Sequence, residues 1–110
     1  MLPSEMIILM AIVVNNKIGQ NVLTRPLDIT REYIGYLFNS LVNRGYLKQR
    51  GFGGGYQLTA TGREEIFSFI RKNRTRSKDV VKRLRLLGIE ISPVQEEKIY
   101  MLEREAVKVR

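Results

Sequence analysis

The chain contains no cysteine, no histidine and no tryptophan among its 110 residues. Without cysteine it can form neither a disulfide nor a zinc–thiolate site, and it has no thiolate nucleophile. Without histidine it lacks the commonest general base and the commonest protein metal ligand. The sequence therefore predicts a protein that is not an enzyme, with no catalytic residue, no metal site and no cofactor.

A long apolar run is also missing. The longest, residues 6–14, has nine residues, whereas a membrane-spanning helix needs about twenty. No basic segment precedes this run and no clear small-residue cleavage site follows it, so the pattern does not fit a signal peptide. We therefore expect a cytoplasmic protein with no membrane partner.

Positive charge is what the sequence has in excess. Nineteen lysines and arginines oppose eleven acidic residues, for a net charge of +8. The excess is concentrated in residues 63–85, which hold nine basic and three acidic side chains. Such a balance favours an anionic partner, with nucleic acid the first candidate and an anionic membrane surface the second. A basic but merely solvated surface is the alternative.

Length, apolar spacing and capping residues predict one small domain, mainly α-helical with a small β-hairpin. The apolar fraction of 44% is that of a globular protein. The predicted elements are helices over residues 3–15, 20–27 and 31–44, strands over 46–50 and 56–59, and three helices that begin near residues 60, 77 and 93. Thr30 is the predicted N-cap of the helix over residues 31–44, and Gly45 is predicted to end it. Ser92 is the predicted N-cap of the last helix, with Gln95 three residues later as in a capping box.

Five of the nine glycines lie between Gly45 and Gly55. A phosphate-binding loop fits this stretch poorly, because Tyr56 stands where G-x-G-x-x-G needs its last glycine and no Gly-Lys-Ser/Thr follows. A linker also fits poorly, because the flanking residues alternate as paired strands do. The stretch therefore indicates a hairpin whose tip uses the positive φ angles that glycine accepts.

Three short motifs resemble the winged helix-turn-helix superfamily, in particular MarR-like and PadR-like transcription regulators. They are LDIT at residues 27–30, RGYL at 44–47 and LTATG at 58–62. The resemblance covers about residues 5–70, and Pro26 departs from the usual second helix. It implies a winged helix-turn-helix domain over residues 1–75 and a C-terminal helical extension over residues 76–110.

The resemblance further implies sequence-specific binding of double-stranded DNA by a transcription regulator. Residues 31–44 would be the recognition helix in the major groove, and residues 46–59 would be the wing on the backbone or minor groove. With the basic run, it gives these candidate DNA-binding residues: Thr30, Arg31, Tyr33, Tyr36, Asn39, Ser40, Lys48, Arg50, Gly53, Gly54, Arg71 and Arg74. Arg31 would read guanine and Asn39 adenine. For each of these residues, the alternative interpretation is an ordinary solvent-exposed position that does not contact DNA.

A narrow apolar stripe runs along the last predicted helix. Its members recur at intervals of three and four residues: Ile99, Leu102, Ala106 and Val109. Such a stripe can pack on its own chain or on a second copy. Because regulators of the resembled families commonly dimerise through terminal helices, the resemblance implies that these residues form a homodimer interface.

One further class of function stays open at this point. A winged-helix fold does not dictate function, and the exposed face of the recognition helix, with Glu32 and two tyrosines, is not overtly basic. The alternative is a protein–protein interaction module without DNA-binding activity. The sequence does not identify a DNA target, an effector ligand or the direction of regulation. Charge alone also allows RNA, although no aromatic stacking platform of the usual RNA modules is visible.

Overall fold

The computed structural model describes residues 3–15, 30–51 and 55–108. Within them lie α1 (Pro3–Val14), α2 (Arg31–Asn43), β1 (Leu47–Gln49), β2 (Tyr56–Leu58), α3 (Ala60–Asn73), α4 (Ser77–Leu86) and α5 (Pro93–Lys108). The predicted mainly helical fold with a small hairpin is thereby confirmed. The predicted short helix over residues 20–27 and the turn before Thr30 lie outside the described residues.

Helix α1 is buried on almost every side. Its apolar run leaves no polar face, so several elements must cover it. The helix packs against α3 and α5, against β2, and against α2. Ile8, Leu9 and Ala11 are 0% exposed. None of the helices in the described ranges combines the length and the apolar character needed to cross a bilayer.

The apolar stripe of α5 faces the interior of its own chain. Ile99 and Leu102 are each 3% exposed and Ala106 is 0% exposed, because α5 packs on α1, α3 and α4. This corrects the prediction that these three residues form a dimer interface, since their apolar surface is already covered. Val109 lies outside the described residues. The helices after residue 75 therefore complete the core that the earlier elements begin.

The helices begin and end at the capping residues that the sequence contains. The Thr59 hydroxyl accepts a hydrogen bond from the Gly62 amide at 3.0 Å and caps the start of α3. At the start of α5, the Ser92 amide donates to the Gln95 side chain at 2.8 Å and the Gln95 amide donates to the Ser92 hydroxyl at 3.2 Å. This reciprocal pair is the capping box that the sequence predicts. Gly88, with φ of 87°, follows the end of α4.

The two strands pair antiparallel with Leu47 opposite Leu58 and Lys48 opposite Gln57. Both strands are shorter than predicted, and at Tyr46 and Thr59 the reason is that these residues take part in helix capping. The Tyr46 amide is bonded to the Leu41 carbonyl of α2, and Thr59 is the cap of α3. Leu47 is buried, and Leu58 opposite it is half-buried.

Candidate nucleic-acid interface

Helix α2 begins at the predicted capping residue. Thr30 has extended backbone geometry, and its hydroxyl accepts a hydrogen bond from the Tyr33 amide at 3.1 Å. One amide that the first turn would otherwise leave unbonded is thereby satisfied. The buried side of the helix consists of four side chains at helical spacing: Ile34, Leu37, Phe38 and Leu41. The remaining faces of α2 are consequently turned away from the core.

The outward side of α2 carries most of the residues predicted to contact DNA. Exposed there are Thr30, Arg31, Glu32, Tyr33, Tyr36, Asn39 and Asn43, and Ser40 is half-buried. The rings of Tyr33 and Tyr36 stack with centroids 6.2 Å apart and planes 13° apart. Both tyrosines face outward, with 40% and 64% of their surface exposed. The surface therefore offers hydrogen-bonding groups and two aromatic rings with little net charge.

A left-handed glycine ends α2 and starts the hairpin. Gly45 has φ of 83°, a conformation that costs glycine little and other residues more. The Gly45 amide bonds the Val42 carbonyl at 3.0 Å, and the Tyr46 amide bonds the Leu41 carbonyl at 2.9 Å. This pair of bonds is the Schellman arrangement. The helix therefore turns directly into β1.

Three contacts fix the hairpin to α2 and α3. The Phe38 and Tyr56 rings lie with centroids 4.6 Å apart. The Thr59 hydroxyl donates to the Gly45 carbonyl at 2.5 Å. Gly62 lets α3 approach so closely that an added Cβ would lie 2.3 Å from the Tyr46 carbonyl oxygen. The base of the hairpin is thus held in a defined position beside the end of α2.

The outer side of the hairpin carries exposed cations. Lys48 pairs with Gln57 across the face opposite Leu47, and both side chains are exposed. Arg50 is exposed and its amide bonds the Gly55 carbonyl at 2.9 Å, where the strands separate. Lys48 and Arg50 form no ion pair within the described residues. The predicted tip residues Gly53 and Gly54 lie outside those residues.

Arg71 and Arg74 lie at the far end of α3 from the hairpin. The start of α3 adjoins Gly45 and Tyr46, and the helix of 14 residues spans about 20 Å. Arg71 donates to the Ala106 carbonyl of α5 at 3.3 Å, and Arg74 ends the helix. The structure thus brings the predicted residues of α2 and the hairpin together but places these two arginines at the opposite end of α3.

Two features of this region were missed by the motif-based predictions. Gln57 lies beside Lys48 on the outer side of the hairpin, and the strand alternation would have indicated it. Arg44 bonds Glu5 of α1 and lies over the Tyr46 ring at 5.2 Å. No local sequence signal indicates that pairing, because Glu5 is 39 positions away.

Comparison with known proteins identifies no relative of this chain. No protein-family model, no curated protein and no solved structure matches it. In the ranges that the structure describes, no cluster of acidic residues is arranged to hold a metal ion. The functional argument therefore depends on the geometry and charge of the chain itself.

Proposed function

We propose that this protein binds double-stranded DNA as a winged helix-turn-helix transcription regulator, with α2 in the major groove and the hairpin as the wing. The observation that carries the proposal is the fixed attachment of the hairpin to the end of α2. The Phe38–Tyr56 and Thr59–Gly45 contacts make one rigid unit of the two elements. That unit presents a polar helix face and two exposed cations.

The two parts of this surface suit different parts of a duplex. An α-helix fits the major groove, where side chains such as Asn39 and Arg31 can bond base edges. Lys48 and Arg50 suit phosphates, because neither is neutralised by an acidic side chain in the described residues. Affinity would come from the hairpin and sequence preference from α2.

The test is fluorescence anisotropy with a random-sequence duplex of about three helical turns, from about 50 to 200 mM salt. The wild type is compared with the double variant Lys48→Ala/Arg50→Ala. We expect the binding affinity to fall steeply with salt concentration. The salt slope, meaning the slope of log affinity against log salt concentration, should be smaller by about two in the variant, one unit for each lost phosphate contact.

The matched control is the double variant Lys98→Ala/Lys108→Ala. It removes the same charge from exposed positions of α5 that form no ion pair in the described residues. We expect its salt slope to equal that of the wild type within about half a unit. An equal decrease of the salt slope in the two double variants would mean that net charge, not the hairpin, drives binding. Absence of duplex binding by the wild type would refute the proposal.

A dimer remains part of the proposal, but it needs a surface other than the buried stripe of α5. Val94 and Met101 are exposed on α5, and seven residues of separation place them on one side of the helix. A second copy could therefore bind along the outer side of α5. Sedimentation velocity of the wild type and of Met101→Glu tests this point, because a dimer through that side would dissociate in the variant.

One observation favours protein interaction as a second candidate function. The stacked pair Tyr33 and Tyr36 is exposed on an almost uncharged face, and tyrosine is enriched at protein interfaces. A stoichiometric protein complex that survives nuclease and is lost in Tyr36→Ala would support this alternative. If the Tyr36→Ala variant still forms the complex, the stacked tyrosines are not the binding surface and the alternative loses its structural basis.

A further inference from the structure

An open groove of about 820 Å³ lies between the turn that joins α3 to α4 and the C-terminal half of α5. Four cations line it: Arg71, Arg74, Arg76 and Lys78. Of these, Arg74, Arg76 and Lys78 are exposed and form no ion pair within the described residues. Much of the other lining is apolar, including Ala106 and Val107 of α5. The groove therefore combines strong positive charge with an apolar surface.

Hydrogen bonds between its two sides fix the shape of this groove. Arg71 donates to the Ala106 carbonyl at 3.3 Å. The Ser77 amide donates to the Glu103 carboxylate at 2.5 Å, and the Ser77 hydroxyl donates to the Ile99 carbonyl at 3.3 Å. Ser77 is 3% exposed, so solvent does not compete for these bonds. A groove formed in advance costs a ligand less ordering on binding.

Among the described residues, no acidic side chain neutralises Arg74, Arg76 or Lys78 in the groove. Glu103 is the one acidic residue in its lining, and its carboxylate is bonded to the Ser77 amide at the start of α4. Glu103 forms no ion pair with a lysine or arginine of the described residues. Like charges held near one another on a concave, partly apolar surface concentrate positive potential. An anion bound there would relieve that repulsion.

Arg74 lies at the point where α3 ends. Its φ of 49° and ψ of 42° are left-handed, and it is the one residue other than glycine with a positive φ in the described ranges. The Thr75 amide bonds the Ile70 carbonyl at 3.1 Å, as in the Schellman ending of a helix. The end of α3 therefore fixes the backbone of a cation that lines the groove.

We propose that this groove binds a small organic phosphate, meaning an anion that carries an apolar or aromatic part, as a nucleotide does. The planar guanidinium groups of Arg74 and Arg76 match phosphate oxygens, and Lys78 adds a point charge. The apolar lining would accommodate the rest of the molecule. The volume lies within the range of small-molecule sites. This site does not depend on DNA binding by α2 and the hairpin.

The probe is N-methylanthraniloyl-ADP, followed by fluorescence anisotropy, with pyrophosphate and adenosine as competitors. The test variant is Arg74→Ala/Arg76→Ala. The matched control is Lys82→Ala/Arg83→Ala, which removes two exposed cations of α4 that do not line the groove. Loss of two charge-assisted contacts should weaken probe binding at least about tenfold in the test variant. The control should stay within about twofold of the wild type, and pyrophosphate should displace the probe.

Several outcomes would overturn this proposal. Equal weakening in both variants would mean diffuse attraction by the basic surface. Displacement by adenosine but not by pyrophosphate would mean that the anion is not recognised. If the Arg74/Arg76 pair affects duplex binding while the probe does not bind, the pair contacts DNA backbone instead. The variant Lys48→Ala/Arg50→Ala should bind the probe normally, which separates failure of this site from failure of the proposed DNA interface.

Discussion

The guanidinium of Arg44 bonds the carboxylate of Glu5 across 39 positions of the chain. Glu5 is 4% exposed near the start of α1, and the Arg44 side chain, 37% exposed, follows the last turn of α2. The Arg44 Nε also donates to the Ser40 carbonyl at 3.3 Å. This one side chain joins α1 to the place where the hairpin leaves α2.

We expect Arg44→Met to lower the free energy of unfolding by about 1–3 kcal/mol, because it withdraws a guanidinium from a buried carboxylate. The partial exposure of Arg44 favours the lower part of that range. Urea denaturation measures the change. Arg31→Met, at an exposed position of α2, should change stability by less than about 0.5 kcal/mol. Equal effects of the two substitutions would show that the Glu5 bond contributes nothing.

Gly62→Ala has two opposing effects on the stability of α3. Alanine is favoured over glycine inside a helix by about 1 kcal/mol. At this position, however, the new Cβ would lie 2.3 Å from the Tyr46 carbonyl oxygen and 2.8 Å from the Leu58 side chain. Because a backbone oxygen cannot move away easily, we expect a net loss of about 1–3 kcal/mol.

Thermal or urea unfolding gives the sign of the Gly62→Ala effect directly. The neighbouring substitution Thr61→Ala is the control, because Thr61 is exposed in the same first turn of α3. Its effect should remain below about 0.5 kcal/mol. A Gly62→Ala protein more stable than the wild type would show that α3 does not approach the hairpin this closely in solution.

The specificity of the proposed DNA interface can be tested with uncharged substitutions. A preferred duplex would first be selected from a randomised pool. Asn39→Ala should then weaken binding to that duplex by about 1–3 kcal/mol and relax the preference at one base pair. Its salt slope should not change, because no charge is removed.

Asn43→Ala is the matched control for the base-reading prediction. Asn43 is exposed at the last residue of α2, about one turn further than Asn39 from the N-terminal residues through which helices of this type read bases. We expect its selected sequence and affinity to match those of the wild type. If Asn39→Ala behaves in the same way as the control, α2 does not read bases through this side chain.

The Tyr100 hydroxyl donates to the Glu96 carboxylate at 3.1 Å. This hydrogen bond is the main reason that the pKa of Tyr100 is raised above its ordinary value of 10.0, with smaller contributions from desolvation and from nearby carboxylates. The folded chain therefore keeps the phenol proton at a pH where the unfolded chain has begun to lose it. The resulting stability is present below the ordinary pKa and is lost as the pH rises through the raised one.

We expect Glu96→Ala to lower the pKa of Tyr100 toward its ordinary value, because alanine removes the acceptor of the hydrogen bond. An NMR titration of the tyrosine Cζ resonances would measure it, with Tyr100→Phe for assignment. Glu97→Ala is the control, because Glu97 bonds Arg104 instead. It should leave the Tyr100 titration unchanged. An unchanged titration in Glu96→Ala would contradict the hydrogen bond as the cause.

Local signals were sufficient to predict α2 and the start of α5. Thr30, the spacing of Ile34, Leu37 and Leu41, and Gly45 each act within a few residues of chain, and the structure has α2 between the predicted caps. Ser92 with Gln95 likewise predicts α5 correctly. Capping and periodicity are properties of neighbouring residues, so a sequence displays them directly.

Long-range pairing was not predictable in this way. The stripe that contains Ile99 and Leu102 looks the same whether it packs in its own chain or on a second copy, and only the packing of α1, α3 and α4 decides between them. The same holds for the groove beside Arg74, which exists because α5 packs against the α3–α4 turn. The predicted DNA contacts of α2 and the hairpin remain predictions.

The packing of α1 against α5 has a consequence for synthesis of the protein. Helix α1 leaves the ribosome before α5, and its apolar surface needs residues 93–108 for complete cover. Until those residues emerge, α1 has only part of its final surroundings, and exposed apolar surface of that kind promotes aggregation. Stable folding should therefore await the emergence of α5, and ribosome-bound chains that stop before α5 should be protease-sensitive.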